Sequence, residues 1–106
     1  MLEEAPRLLC DVTVITSAVS EDGKVKATAY MVECGAMAAD RVSVALSHPM
    51  VDGTRHATTV VALVHANRES VAIRWKTNRE LVVAYRGELE YVVALTRGVQ
   101  ITLEKK

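Results

Sequence analysis

The chain has no Phe and only four aromatic residues in 106: Tyr30, Trp75, Tyr85 and Tyr91. Its core must therefore be filled by smaller side chains, and 17 Val and 14 Ala supply most of an apolar fraction of 50%. Val favours pleated, half-buried surfaces, so composition already tilts the chain toward β structure. Small aliphatic side chains fill less volume per residue than Phe. Either the layers lie close together or part of this surface is buried against another subunit.

Charge of one sign is missing as well, because 13 Lys and Arg balance 13 Asp and Glu. That balance speaks against a strongly cationic nucleic-acid binder and against a disordered acidic tail. There are only two cysteines, Cys10 and Cys34, and no Cys or Cys/His cluster at zinc spacing, which removes the commonest structural metal site. No apolar run approaches the roughly 20 residues of a membrane-crossing helix, and Met1-Leu2-Glu3-Glu4 is acidic where a secretory signal is basic. These features predict a single cytoplasmic domain over residues 1–106 with no membrane association, its cysteines reduced and buried as small hydrophobes. Ser-His-Asp spacing, a Gly-rich phosphate loop and a nucleophile elbow are all lacking. The five Gly residues, 23, 35, 53, 87 and 98, sit at expected turns.

What is present is β-strand patterning. Residues Arg7 to Ser20 and Lys24 to Gly35 are β-branched and partly alternating, with Glu21-Asp22-Gly23 between them as a three-residue hairpin loop. Centred on Asp22, that hairpin sets Val14 against Tyr30, Val12 against Val32, Asp11 against Glu33 and Cys10 against Cys34. A cross-strand disulfide is open to the last pair on oxidation. Two facing carboxylates would raise each other's proton affinity, but on an exposed strand they are read as a screened, merely unfavourable pair. Arg41 to Ser47 forms a third strand with Val42, Val44 and Leu46 on one face.

Residues 55–67 fit two patterns: Ala57, Val60, Val61 and Val64 have helical i, i+3, i+4, i+7 spacing, and the same segment also suits a buried strand. The helix is favoured. Four short β runs follow, at Ser70 to Lys76, Leu81 to Tyr85, Leu89 to Leu95 and Val99 to Glu104. The expected fold is mainly β, an antiparallel sheet or small split barrel of about seven strands with at most one helix, the alternative being a β-sandwich with no helix.

The stretch Ala5-Pro6-Arg7-Leu8-Leu9-Cys10-Asp11-Val12-Thr13-Val14-Ile15-Thr16-Ser17, then Glu21-Asp22-Gly23-Lys24 and Arg41-Val42-Ser43-Val44-Ala45-Leu46-Ser47, resembles the opening of the flavin reductase-like, FMN-binding split barrels. The order of elements is similar over residues 7–76. The resemblance implies a homodimer with FMN at the subunit interface, Thr16, Ser17 and the Gly35–Ala39 loop near the cofactor, and Arg55 or His56 near its phosphate. Hydroxyls and a guanidinium suit that anion.

The zero net charge conceals an asymmetry: residues 1–53 carry 4 basic and 8 acidic side chains, residues 54–106 carry 9 basic and 5 acidic. Arg55, Arg68, Arg74, Lys76 and Arg79 around Trp75 could serve an inhibitor or a nucleic-acid binder. Alternation, however, sends Trp75 inward with Val71 and Ile73 and leaves the cations as a solvated face. His48, Asp52 and His56 flank a Pro-Gly turn, but their spacing matches no ligand pattern, and they read as loop surface. His65, inside an apolar segment, reads as structural. With no catalytic group and no metal set, the leading expectation is a homo-oligomer, a dimer first, acting as a binding or assembly module without catalysis or cofactor. An FMN-dependent flavoprotein is the alternative, and a small anion is the ligand the basic half would suit.

Overall fold

The computed structural model describes residues 10–34, 40–49 and 52–106. They form nine strands: β1 (Asp11–Val19), β2 (Lys26–Glu33), β3 (Arg41–Pro49), β4 (Arg55–Val64), β5 (Val71–Thr77), β6 (Glu80–Tyr85), β7 (Glu88–Val92), β8 (Leu95–Thr96) and β9 (Val99–Lys105). One 3-10 turn, Arg68–Ser70, is capped by the Asn67 side chain. A five-stranded sheet runs β1-β2-β3-β4-β7 and a four-stranded sheet β5-β6-β9-β8. The fold is thus mainly β as expected, and the two sheets do not close into a barrel.

The sheets share one core. Val42, Val44 and Leu46 of β3, Val61 and Leu63 of β4 and Ala27 and Ala29 of β2 are fully enclosed, and meet Leu81, Val83, Val99 and Ile101 of the second sheet. Alternation produces this directly: β3 buries Val42, Val44, Leu46 and His48 and leaves Ser43, Ala45 and Ser47 half-exposed on the other face. A slab 19 Å thick is what two layers of Val- and Ala-sized side chains give.

Residues 55–67 correct the helical expectation. Residues 55–64 are β4, and Val60, Val61, Ala62 and Leu63 are all buried. Two bulges explain the loss of alternation. One leaves Val60 without a partner between the pairs Val44↔Val61 and Ala45↔Thr59, and the other lies where β4 meets β7, between Ala62↔Tyr91 and Leu63↔Leu89. A strand enclosed between β3 and β7 loses its period-two signature, and helical spacing then arises by coincidence.

The second half is also not a simple meander. After β6 the chain crosses to the first sheet as β7 and returns, so that β9 pairs β6 in parallel, Leu81 with Ile101 and Val83 with Leu103. The expected count of about seven strands rises to nine, β8 having two residues.

The hairpin differs from expectation by one residue and then corrects itself. Its loop has four residues, Glu21 to Lys24, closed by Ser20 N–H donating to Val25 C=O at 2.8 Å, with Gly23 in a left-handed conformation at φ 78°. Ser17 therefore pairs Thr28 and Thr16 pairs Ala29. A bulge at Ile15 removes the offset, so Val14 pairs Tyr30, Val12 pairs Val32 and Asp11 pairs Glu33. Cys10 and Cys34 consequently meet, with Cα atoms 3.9 Å apart, as a disulfide. This corrects the expectation of buried, reduced thiols, since both residues are bridged and exposed. Trp75 behaves as alternation requires: it packs against the core, and its indole N–H donates to Ala18 C=O at 3.0 Å.

Candidate functional site

Two features stand out among the described residues, the edge of the first sheet at β1, where no further strand pairs, and the end where the turns gather. At the edge, β1 is exposed along most of its length, while β3, also nine residues long and likewise containing Val, Ser and Ala, is half buried. Across β2, Thr16 and Ala18 oppose the buried Ala29 and Ala27, so they share the inner face; Val12, Val14, Ser17 and Val19 lie on the outer one. Val12, Val14 and Val19 are 60%, 58% and 54% exposed. Bare apolar side chains on an edge strand invite another strand.

At the other feature, the β1–β2, β5–β6 and β8–β9 turns converge on a cavity of about 250 Å³. Lys24, Arg79 and Arg97 line it beside Asp22 and Asn78, with the buried Val25 and Val99 as its apolar wall. The turns are joined to one another. Asp22 N–H donates to Asn78 Oδ1 at 2.8 Å, and Gln100 N–H donates to Arg79 C=O at 2.7 Å. The Asp22 carboxylate accepts from Ser20 Oγ–H at 2.7 Å and from Lys24 N–H at 3.1 Å; these hydrogen bonds, with the Lys24 charge, hold its carboxyl below the usual value. Asp22 is therefore ionised and occupied in shaping its own turn.

The residues that the FMN resemblance implied are not neighbours within one chain. Thr16 and Ser17 are on β1, Arg55 and His56 on β4, separated by β2 and β3. Three strand spacings separate them by about 14 Å across the sheet, and the register, which sets Ser17 level with Thr59, adds four residues along β4 before Arg55. Arg55 is engaged by its own sheet, donating from Nε to Ser47 Oγ at 2.7 Å and from Nη2 to Ser47 C=O at 2.9 Å. The Gly35–Ala39 loop lies outside the described residues.

His48 and His56 sit opposite each other on β3 and β4, with His48 buried and His56 exposed. Among the described residues no hydrogen-bond partner reaches His48 Nε2. Burial pushes the His48 pKa below its ordinary value, and the charges of Arg97, His56 and Arg55 add to the shift. Asp52 is turned to Thr54, accepting from its N–H and hydroxyl, so no metal-like group of His48, Asp52 and His56 forms. Among the described residues no group of three His, Cys, Asp or Glu side chains converges as a metal site.

His65 corrects the structural expectation: it is exposed at the end of β4 with φ 55°, 3.8 Å from Glu88 Oε1. The basic 55–79 region is dispersed over both sheets, and Arg74 is committed to Glu104 through two contacts of 3.2 Å. No helix among the described residues is long and apolar enough to cross a membrane.

Sequence reasoning placed Arg79 in a solvated basic face and overlooked its convergence with Lys24 and Arg97 at the cavity. Each is adjacent to a turn residue, Lys24 after Gly23, Arg79 after Asn78 and Arg97 before Gly98, and that adjacency was the available signal. No protein-family model matches the chain, and neither a curated protein nor a solved structure is significantly similar to it.

Proposed function

We propose that this protein is a small self-associating β domain, a binding or assembly module without catalysis of its own, and that a second copy pairs with it along β1. The observation that carries this is the bare edge: nine residues with Val12, Val14 and Val19 facing solvent. An antiparallel pair of β1 strands about a two-fold axis is isologous, each strand meeting its own copy.

Several registers set outer-face residues of one copy against outer-face residues of the other. The one that places the two Ile15 bulges opposite each other at the axis sets Val12 against Val19 and Val14 against Ser17. Such a pair joins the two five-stranded sheets into a continuous ten-stranded one.

A cytoplasmic location is part of this proposal. There the reducing pool opens the Cys10–Cys34 bridge except under oxidation, which makes the anchoring of β1 redox-dependent.

Native mass spectrometry of the purified chain tests it. A dimer that Val14→Lys converts to a well-folded monomer supports the proposal, and a monomer throughout the micromolar range overturns it. Bound FMN in the same spectrum would transfer support to the flavoprotein alternative, whose Thr16–Ser17 and Arg55–His56 pairs need two subunits to come together.

A further inference from the structure

We propose that the cavity where the three turns meet is a binding site for a small multivalent anion, either inorganic phosphate or the phosphate of a small monoester. Lys24, Arg79 and Arg97 converge on it from three turns that are 73 residues apart at their extremes, from 24 to 97. Among the described residues none of the three is in an ion pair, whereas Arg41 and Arg74 each have a Glu partner. The one carboxylate in the lining, Asp22, is satisfied by its own turn, so the lining keeps two positive charges in excess: three cations less one anion. Like charges gathered without a partner repel one another, and a dianion relieves that repulsion at a single place.

The site is also built in advance of its ligand. The hydrogen bonds from Asp22 to Asn78 and from Gln100 to Arg79 lock the turns at fixed separation, and consecutive left-handed residues, Arg97 at φ 48° and Gly98 at φ 80°, fix the third. Preorganised donors bind more tightly because less ordering remains to be done on association. The wall formed by Val25 and Val99 keeps water from one side, which strengthens charge-assisted hydrogen bonds made there. A volume near 250 Å³ accommodates a phosphate group with a few additional atoms and is too small for a flavin, so this site is separate from any cofactor site implied by the family resemblance.

The full-length chain should be titrated with inorganic phosphate and, separately, with glycerol 3-phosphate at constant ionic strength, with chloride as the control. Backbone amide resonances would report the position of binding. Saturable shifts confined to the three turns are expected, together with at least a tenfold loss of affinity in Arg79→Gln/Arg97→Gln. Tighter binding of glycerol 3-phosphate identifies a monoester as the natural ligand, and equal binding identifies free phosphate. Shifts that do not saturate, that spread to Arg55, Arg68 and Lys76, or that persist unchanged in the double variant overturn the proposal. The monomeric Val14→Lys chain should bind as well as the parent, because the site needs no second copy; failure of self-association would leave this result standing.

Discussion

β1 and β3 belong to the same sheet, have nine residues each and share Val, Ser and Ala, yet β3 encloses Val42, Val44 and Leu46 completely while β1 leaves Val12 and Val14 more than half exposed. Their difference lies in their neighbours. β3 is flanked by β2 and β4 and covered by the second sheet, whereas β1 has one neighbour in its sheet among the described residues, and its inner face meets β5 where Trp75 reaches Ala18. A β-branched pattern therefore specifies a strand, and the position of that strand in the sheet determines what it contributes.

The contrast can be broken most severely from the β3 side. Leu46→Ala should cost about 2–5 kcal/mol in a urea titration, because a fully enclosed side chain leaves a cavity that the sheets cannot close. Next is the anchor of β1: reducing Cys10–Cys34, or replacing both with Ser, should cost about 2–4 kcal/mol, and hydrogen exchange should then be fastest in the first residues of β1.

A smaller effect follows from His48, the last inward residue of β3. Its folded-state pKa is depressed below 6.5, first by burial and then by nearby cations, so above pH 6.5 the residue is neutral in both states and contributes no pH dependence. As pH falls below 6.5 the unfolded chain takes up a proton that the folded chain resists, and stability declines. His48→Leu should flatten that part of the profile. The smallest change belongs to β1: Val14→Ala, measured at monomer concentrations, should stay within about 0.5 kcal/mol of the parent. A larger loss there would mean that the outer face of β1 is covered within a single chain.

Much of this architecture was legible. The runs ending in Tyr85 and Glu104 fall on β6 and β9, Trp75 points inward, and Cys10 does face Cys34. The last result is instructive, because the loop was expected to have three residues and has four, and only the unanticipated bulge at Ile15 restored the pairing. Two local deviations of opposite sense cancel in the register. β4 was opaque for a different reason: once Val60 to Leu63 are all enclosed, hydrophobicity no longer alternates, and tertiary context alone separates strand from helix. The parallel β6–β9 pair and the cation-lined cavity both depend on contacts between turns distant along the chain, which local patterning does not encode.

The opposite edge of the five-stranded sheet has a consequence for growth. A sheet with two adhesive edges is a bifunctional unit and polymerises without limit, whereas one with a single adhesive edge stops at two. β7, at the far edge, has five residues, includes Glu88 and Glu90, and is interrupted by a bulge. Each of these discourages strand addition. On the proposed pairing along β1 the five-stranded sheet thus has a single adhesive edge, a valence that corresponds to a closed pair in place of a fibre.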